Sequence, residues 1–184
     1  LFVRRKIRER KFDVLHGRIH VATLMGALAR KFSGRKPKLI FDIRGFFPEE
    51  YTDAGVWPEK GLLFRGAKRV EKWLMKVADG FVVLTEKARS MILADETRPV
   101  EVIPCCVDLS RFESSNEEAR RAIRLELNLG ERFVAAYVGA FGGWYLTEET
   151  AEFFGELKKL KPNAFAMILT QSRPDMIEPL LRER

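Results

Sequence analysis

The sequence is short of the residues that bind metals or cross-link a fold. Its two cysteines, Cys105 and Cys106, are adjacent. Neighbouring cysteines close a disulfide only in strained geometry, so a reduced compartment fits the pair best. His16 and His20 are the only histidines. With so few ligands of these types, a cysteine–histidine zinc site is not expected. No apolar run approaches the roughly 18 residues of a membrane span. No signal peptide, internal repeat or low-complexity segment is visible. A Walker lysine, a dinucleotide fingerprint and the common nucleic-acid motifs are missing too. The chain opens on leucine, which suits a fragment or a processed chain.

What is present is material for a core, and a charge gradient. Hydrophobic residues make up 46% of the 184, enough to bury an interior and to argue against disorder. The net charge is +7. Residues 1–110 carry 22 Lys and Arg against 14 Asp and Glu, whereas residues 111–184 carry 11 against 12. The basic first part calls for an anionic partner: phosphate, a membrane surface or nucleic acid.

Short apolar runs alternate with segments of helical period. Strands are expected at Val14–Leu15, KLIF (38–41), GFVVLT (80–85), PVEVIP (99–104), RFVAAYV (132–138) and NAFAMILT (163–170). Helices are expected at 19–32, 60–78, 86–96, from Asn116 as a cap, at 146–160 and after Pro174. Residues 42–58 read as a long loop. This alternation is the pattern of an α/β protein with parallel sheets covered on both faces. Functional residues in such sheets gather at the carboxyl ends of strands. The loops after Leu15, Phe41 and Val138 qualify.

The first two of these loops carry His16, Arg18, Asp42, Arg44 and Gly45. If their strands are neighbours, the polar side chains share one cleft. A guanidinium fork at Arg44 suits an anion or a sugar hydroxyl. Asp42 suits the acceptance of hydrogen bonds from hydroxyls. Equally, Asp42 and Arg44 pair with one another and pin the loop, and His16 is an ordinary loop histidine. The third loop, GAFGGWY (139–145), places Gly139, Gly142 and Gly143 between a strand and a helix. Backbone N–H groups there form a natural phosphate site, though steric need alone also explains such glycines. VIPCCVDLSRF reads as a hinge with Cys105 and Cys106 as small turn residues; a reactive thiol pair is the minor reading. The 60–78 helix sets Arg65, Lys68, Arg69, Lys72 and Lys76 against an apolar face. A solvated face on a core helix is the preferred reading, and contact with an anionic membrane the other.

Five segments in order resemble the family-4 glycosyltransferases of GT-B fold. FDVLHGR is similar to a strand and polar tip of their first domain. FDIRGFFPEE resembles the next strand and cleft loop, and ADGFVVLTEKARSMI the following strand and helix. PVEVIPCCVDLSRF is similar to the crossover into the second domain, where many members have asparagine–glycine instead of Cys105–Cys106. RFVAAYVGAFGGWY resembles the first strand and glycine loop of that domain. The resemblance runs from about Phe12 to about Thr170.

It implies two Rossmann-like parallel-sheet domains, both incomplete here: residues 1–108 on the acceptor side and residues 109–184 opening the donor side. The implied activity is retaining transfer of a sugar from a nucleotide-sugar to a glycan, lipid or small-molecule acceptor across an interdomain cleft. No cofactor or metal is implied. Asp42 and Arg44 take the catalytic positions, His16, Arg18 and Gly45 the acceptor side, and Gly142 and Gly143 the donor phosphates. Members often carry Arg or Lys after the second-domain strand, where Phe141, Trp144 and Tyr145 stand here. The family's opening strand and glycine loop and its paired-glutamate region are not seen, so the chain reads as an inactive middle piece of a longer enzyme. A cytoplasmic setting, with peripheral contact at the inner face of a membrane, is expected. The rival is a basic α/β module that binds nucleic acid or phosphate ligands without catalysis.

Overall fold

A computed structural model describes residues 2–111 and 117–183. The chain divides into two compact units, Leu1–Cys106 and Val107–Arg184.

The first unit contains α1 (Phe2–Glu9), β1 (Val14–Arg18), α2 (Ile19–Ser33), β2 (Lys38–Ile43), α3 (Phe47–Asp53), α4 (Leu62–Val77), β3 (Gly80–Val83), α5 (Glu86–Ile92) and β4 (Val100–Val102). Its four strands form a parallel sheet in the order β1-β2-β3-β4. Parallel neighbours need crossovers, and α2, α4 and α5 provide them. Strand side chains alternate between faces. Leu39, Phe41 and Ile43 of β2 join Phe81 and Val83 of β3 on one face, where Ala27 of α2, Leu74 of α4 and Ala88 of α5 meet them. Phe41, Leu39, Leu74 and Val83 are completely buried. All three crossover helices thus cover one face of the sheet. By register, the other face carries His16 beside Ile40, Arg18 beside Asp42, and Asp42 beside Val82.

Three features differ from the expectation. The strands run further: β1 includes HGR, and β2 includes Asp42 and Ile43. Main-chain pairing between adjacent parallel strands holds these polar residues extended, which a reading of apolar runs alone does not detect. The long loop, moreover, contains α3, with Pro48 in its first turn and Glu50 reaching back to accept from the Phe46 N–H at 3.1 Å. The basic opening segment also forms a helix, α1, which buries Ile7 against α2.

The second unit has a 3-10 turn at Leu109–Arg111, then α6 (Glu117–Glu126), β5 (Val134–Val138), α7 (Thr147–Leu160), β6 (Phe165–Leu169), a 3-10 turn at Pro174–Met176 and α8 (Glu178–Arg182). β5 and β6 form a parallel pair. Phe141, Ala151 and Ile177 make its small core, with Tyr137 and Ile168 packed against them. The expected cap Asn116 lies outside the described residues. Among the described residues, no helix is long and apolar enough to cross a membrane.

Candidate functional site

The β1–α2 junction has no connecting loop. Arg18 ends the strand and Ile19 begins the helix, with Ile19 at φ 68°. A β-branched residue in left-handed conformation is strained, by about 1–3 kcal/mol. Gly17 allows α2 to turn back so closely: a Cβ there would meet Thr23 Cα at 2.5 Å. Thr23 Oγ1 lies 2.8 Å from the carbonyl oxygens of both Gly17 and Ile19 and ties the corner. The corner sends His16 and His20 to different places.

His16 lies on the sheet face away from the crossover helices. Its Nε2–H donates to Asp42 Oδ2 at 3.1 Å across the β1–β2 pair. The His16 side chain is 57% exposed and that of Asp42 only 7%. Asp42 Oδ1 is buried and accepts no hydrogen bond. Arg44 Nη1 stands 3.8 Å from it, an ion pair too long for a hydrogen bond. Arg44 Nη2 also donates to the Cys105 thiol at 3.6 Å, and both cysteines are free and exposed. Arg18 shares the face by register but is exposed and pairs with none of the described residues. Gly45 has a packing reason: a Cβ there would meet Glu50 Oε1 at 2.0 Å, so its absence admits the carboxylate that caps α3.

His20 sits on the helix-covered face and is the residue that reading the sequence missed. It is buried, its ring stacked on Phe47 (5.4 Å) and meeting Phe41 edge-on (5.1 Å). Its Nε2–H donates to Glu71 Oε2 at 2.9 Å. Lys68 binds Glu71 and, at 2.8 Å, Glu49. Burial pushes the Glu71 carboxyl upward, but hydrogen bonds from His20 and Lys68 outweigh it and hold the group below its ordinary value. Burial lowers Lys68, and its two glutamates more than restore it, leaving it raised. A cleft of about 400 Å³ opens beside this network, floored by Phe41, Ile43 and Met75, with Lys72 among its lining. The signal was available in the spacing of HGRIH, whose second histidine falls one residue inside a helix. Tyr51 and Trp57, which the sequence offers either as surfaces for a sugar or as braces of the loop, meet each other at a tilt (4.7 Å), with Tyr51 tilted and Trp57 edge-on against Phe47, and so brace the loop.

In the second unit, Gly142 and Gly143 adopt φ 80° and 60°, the left-handed region that glycine tolerates. The Gly142 N–H is engaged by Thr147 Oγ1 at 2.8 Å, and the Phe141 N–H by Ser172 Oγ at 2.9 Å. Gly143 is exposed, and a Cβ there would meet nothing within 4 Å. Glu148 and Glu149 occupy the first turn of α7. Among the described residues, no group of three or more His, Cys, Asp or Glu is placed to hold a metal ion.

This arrangement, a parallel sheet with polar groups gathered at the carboxyl ends of β1 and β2, meets an independent finding. A model of Glycosyltransferase Family 4 matches residues 1–111, more than half of the chain. The chain belongs to this family. No curated protein matches it. The matched stretch covers the whole first unit and so includes His16, Arg18, Asp42, Arg44 and Gly45. Gly142 and Gly143 lie beyond it.

Proposed function

We propose that this family-4 chain serves retaining glycosyl transfer from a nucleotide-sugar to a hydroxyl acceptor, with the first unit on the acceptor side. The observation that carries the reading is the buried Asp42 Oδ1, which faces Arg44 at 3.8 Å but accepts no hydrogen bond. A buried acceptor without a donor costs about 1–3 kcal/mol, so its retention asks for a ligand that supplies the donor. A sugar or acceptor hydroxyl is such a donor. His16 holds the other carboxylate oxygen and so orients it. Arg44, half-engaged by Asp42 and Cys105, retains guanidinium N–H groups for a sugar oxygen or phosphate. Arg18, beside Asp42 by register, is assigned to the same acceptor side, and so is Gly45, which follows β2 and also lines the cleft beside His20.

In the proposed reaction the bond from the anomeric carbon to the diphosphate oxygen breaks, a bond to the acceptor oxygen forms on the same face, and the acceptor hydroxyl's proton passes to the leaving diphosphate. Negative charge grows on the leaving diphosphate, and fixed cations and backbone donors stabilise it. No protein nucleophile and no metal is assigned. The exposed turn at Gly142 and Gly143 is the proposed contact for the donor phosphates, through Gly143 chiefly, because Thr147 already holds the Gly142 amide.

The test is a titration of the ¹⁵N-labelled chain with a panel of methyl glycosides, and separately with uridine and guanosine diphosphates. Glycosides are expected to shift the amides of Asp42, Arg44 and Gly45, and Asp42→Ala to abolish those shifts. Diphosphates are expected to shift Gly143. Glycosides that leave the β2 end unmoved would overturn the acceptor assignment; diphosphates that leave Gly143 unmoved would overturn the donor one.

A further inference from the structure

The helix-covered side of the first unit has a surface that the proposed reaction does not use. Val21, Met25, Leu28 and Phe32 of α2 are 57%, 54%, 41% and 59% exposed. Their spacing of four, three and four residues makes one continuous stripe along the helix. A lone exposed apolar residue needs no explanation, but a stripe of four does.

Cations frame this stripe. At the carboxyl end of α2 lies a pocket of about 630 Å³, at the amino edge of the sheet and therefore remote from Asp42. Its one acid, Asp79, is already engaged. Arg30 binds it at 2.5 Å and the Leu39 N–H donates to it at 2.8 Å. Lys31, Arg35 and Lys36 remain exposed around the mouth, while Ala27, Trp73 and Val77 form an apolar wall. α1, packed against α2, contributes the exposed Arg4 and Arg8. The neighbouring α4 presents Arg65, Arg69, Lys72 and Lys76, a second helical stripe, all exposed.

We propose that this face docks on an anionic phospholipid bilayer. The stripe of α2 enters the boundary between headgroups and acyl chains. The basic pocket seats a lipid phosphate, with the Trp73 wall against the glycerol and upper chain. Charge complementarity selects this occupant. A second copy of the chain would bring the same uncompensated cations against these, whereas an anionic bilayer offers both an apolar interior and negative charge at the right depth. The His16–Asp42 site lies on the opposite face of the sheet and stays open. This inference does not depend on what Asp42 binds.

Sedimentation of the full chain with vesicles of phosphatidylcholine, alone or mixed with phosphatidylglycerol, tests it. Binding is expected to the mixed vesicles and to weaken as salt rises. Each cation removed should lower the partition coefficient about fivefold. The combined Lys31→Ser, Arg35→Ser and Lys36→Ser variant should therefore lose about a hundredfold. These residues are exposed, so circular dichroism should show the native fold. Phe32→Asp should also weaken binding. The proposal is overturned by no binding, by equal binding to neutral vesicles, by unchanged binding of the triple variant, or by release with soluble glycerol phosphate, which would make the pocket a site for free phosphate esters. A dimer seen by light scattering and lost in Phe32→Asp would assign the stripe to a second copy instead.

Discussion

His16 and His20 each donate to a carboxylate, at 3.1 and 2.9 Å, but the burial of the partners is reversed. Around His20 the histidine is enclosed by Phe41 and Phe47, and its glutamate is balanced by Lys68. Around His16 the carboxylate is enclosed, the histidine is open, and one carboxylate oxygen is left without a donor. The first arrangement spends His20, Glu71 and Lys68 on holding helices together, although Glu49 Oε2 at its edge is, like Asp42 Oδ1, buried without a hydrogen bond. The second leaves polar capacity for something else. Two histidines four residues apart, separated by one strained corner, therefore meet opposite surroundings: His20 is enclosed and ties α2 to α4, whereas His16 is open and bonds a buried carboxylate that we propose meets a ligand.

The strongest way to break the closed region is Phe41→Ala. Phe41 is completely buried and supports the edge of His20. A loss of about 3–5 kcal/mol is expected in chemical denaturation. A loss below about 1 kcal/mol would mean that the packing around His20 is not what distinguishes the two regions.

Glu71→Gln comes next, with an expected loss of about 1.5–3 kcal/mol, the range for hydrogen bonds to charged groups. It also carries a pH signature. The native Glu71 carboxyl is held below its ordinary value, so the unfolded chain takes up the proton first as pH falls. The stabilisation is complete above the ordinary carboxylate range and is lost as pH falls through the lowered native value. Denaturation midpoints measured across that range should fall less steeply in Glu71→Gln than in the parent. Parallel profiles would remove Glu71 from the acid response.

Asp42→Ala is expected to change stability least, within about 1 kcal/mol either way. It removes the bond from an exposed histidine, and it also removes a buried oxygen without a partner. Thermal unfolding checks this directly. A loss of about 3 kcal/mol or more would make the His16–Asp42 pair as structural as the His20–Glu71 pair, and the comparison would collapse.

Much of the fold was legible because apolar runs announce buried strands. KLIF, GFVV and the helix that buries Leu74 needed no more than periodicity. The proximity of His16, Asp42 and Arg44 was also within reach, since consecutive strands of a parallel sheet are usually neighbours. The extension of β1 and β2 through polar residues was not, because those residues are held by main-chain pairing rather than by hydrophobicity. Nor was α3, whose cap depends on Glu50 fitting into the space at Gly45. Arg18 shows the converse: it lies on the expected face, yet it stays exposed and apart from the Asp42 pair.

Local chemistry within the chain determined the strands, the helices, the basic bias of the first part, and the resemblance that its family membership bears out. Those properties follow from short-range patterns of apolar, charged and turn-forming residues. Only the tertiary structure decided that the two histidines face opposite sides of the sheet, that Asp42 keeps a buried oxygen without a hydrogen bond, and that Val21, Met25, Leu28 and Phe32 form an uncovered stripe. Each depends on which side chains from distant positions fill the space around a residue. A sequence lists the groups that need partners, but packing alone decides which of them are left without one.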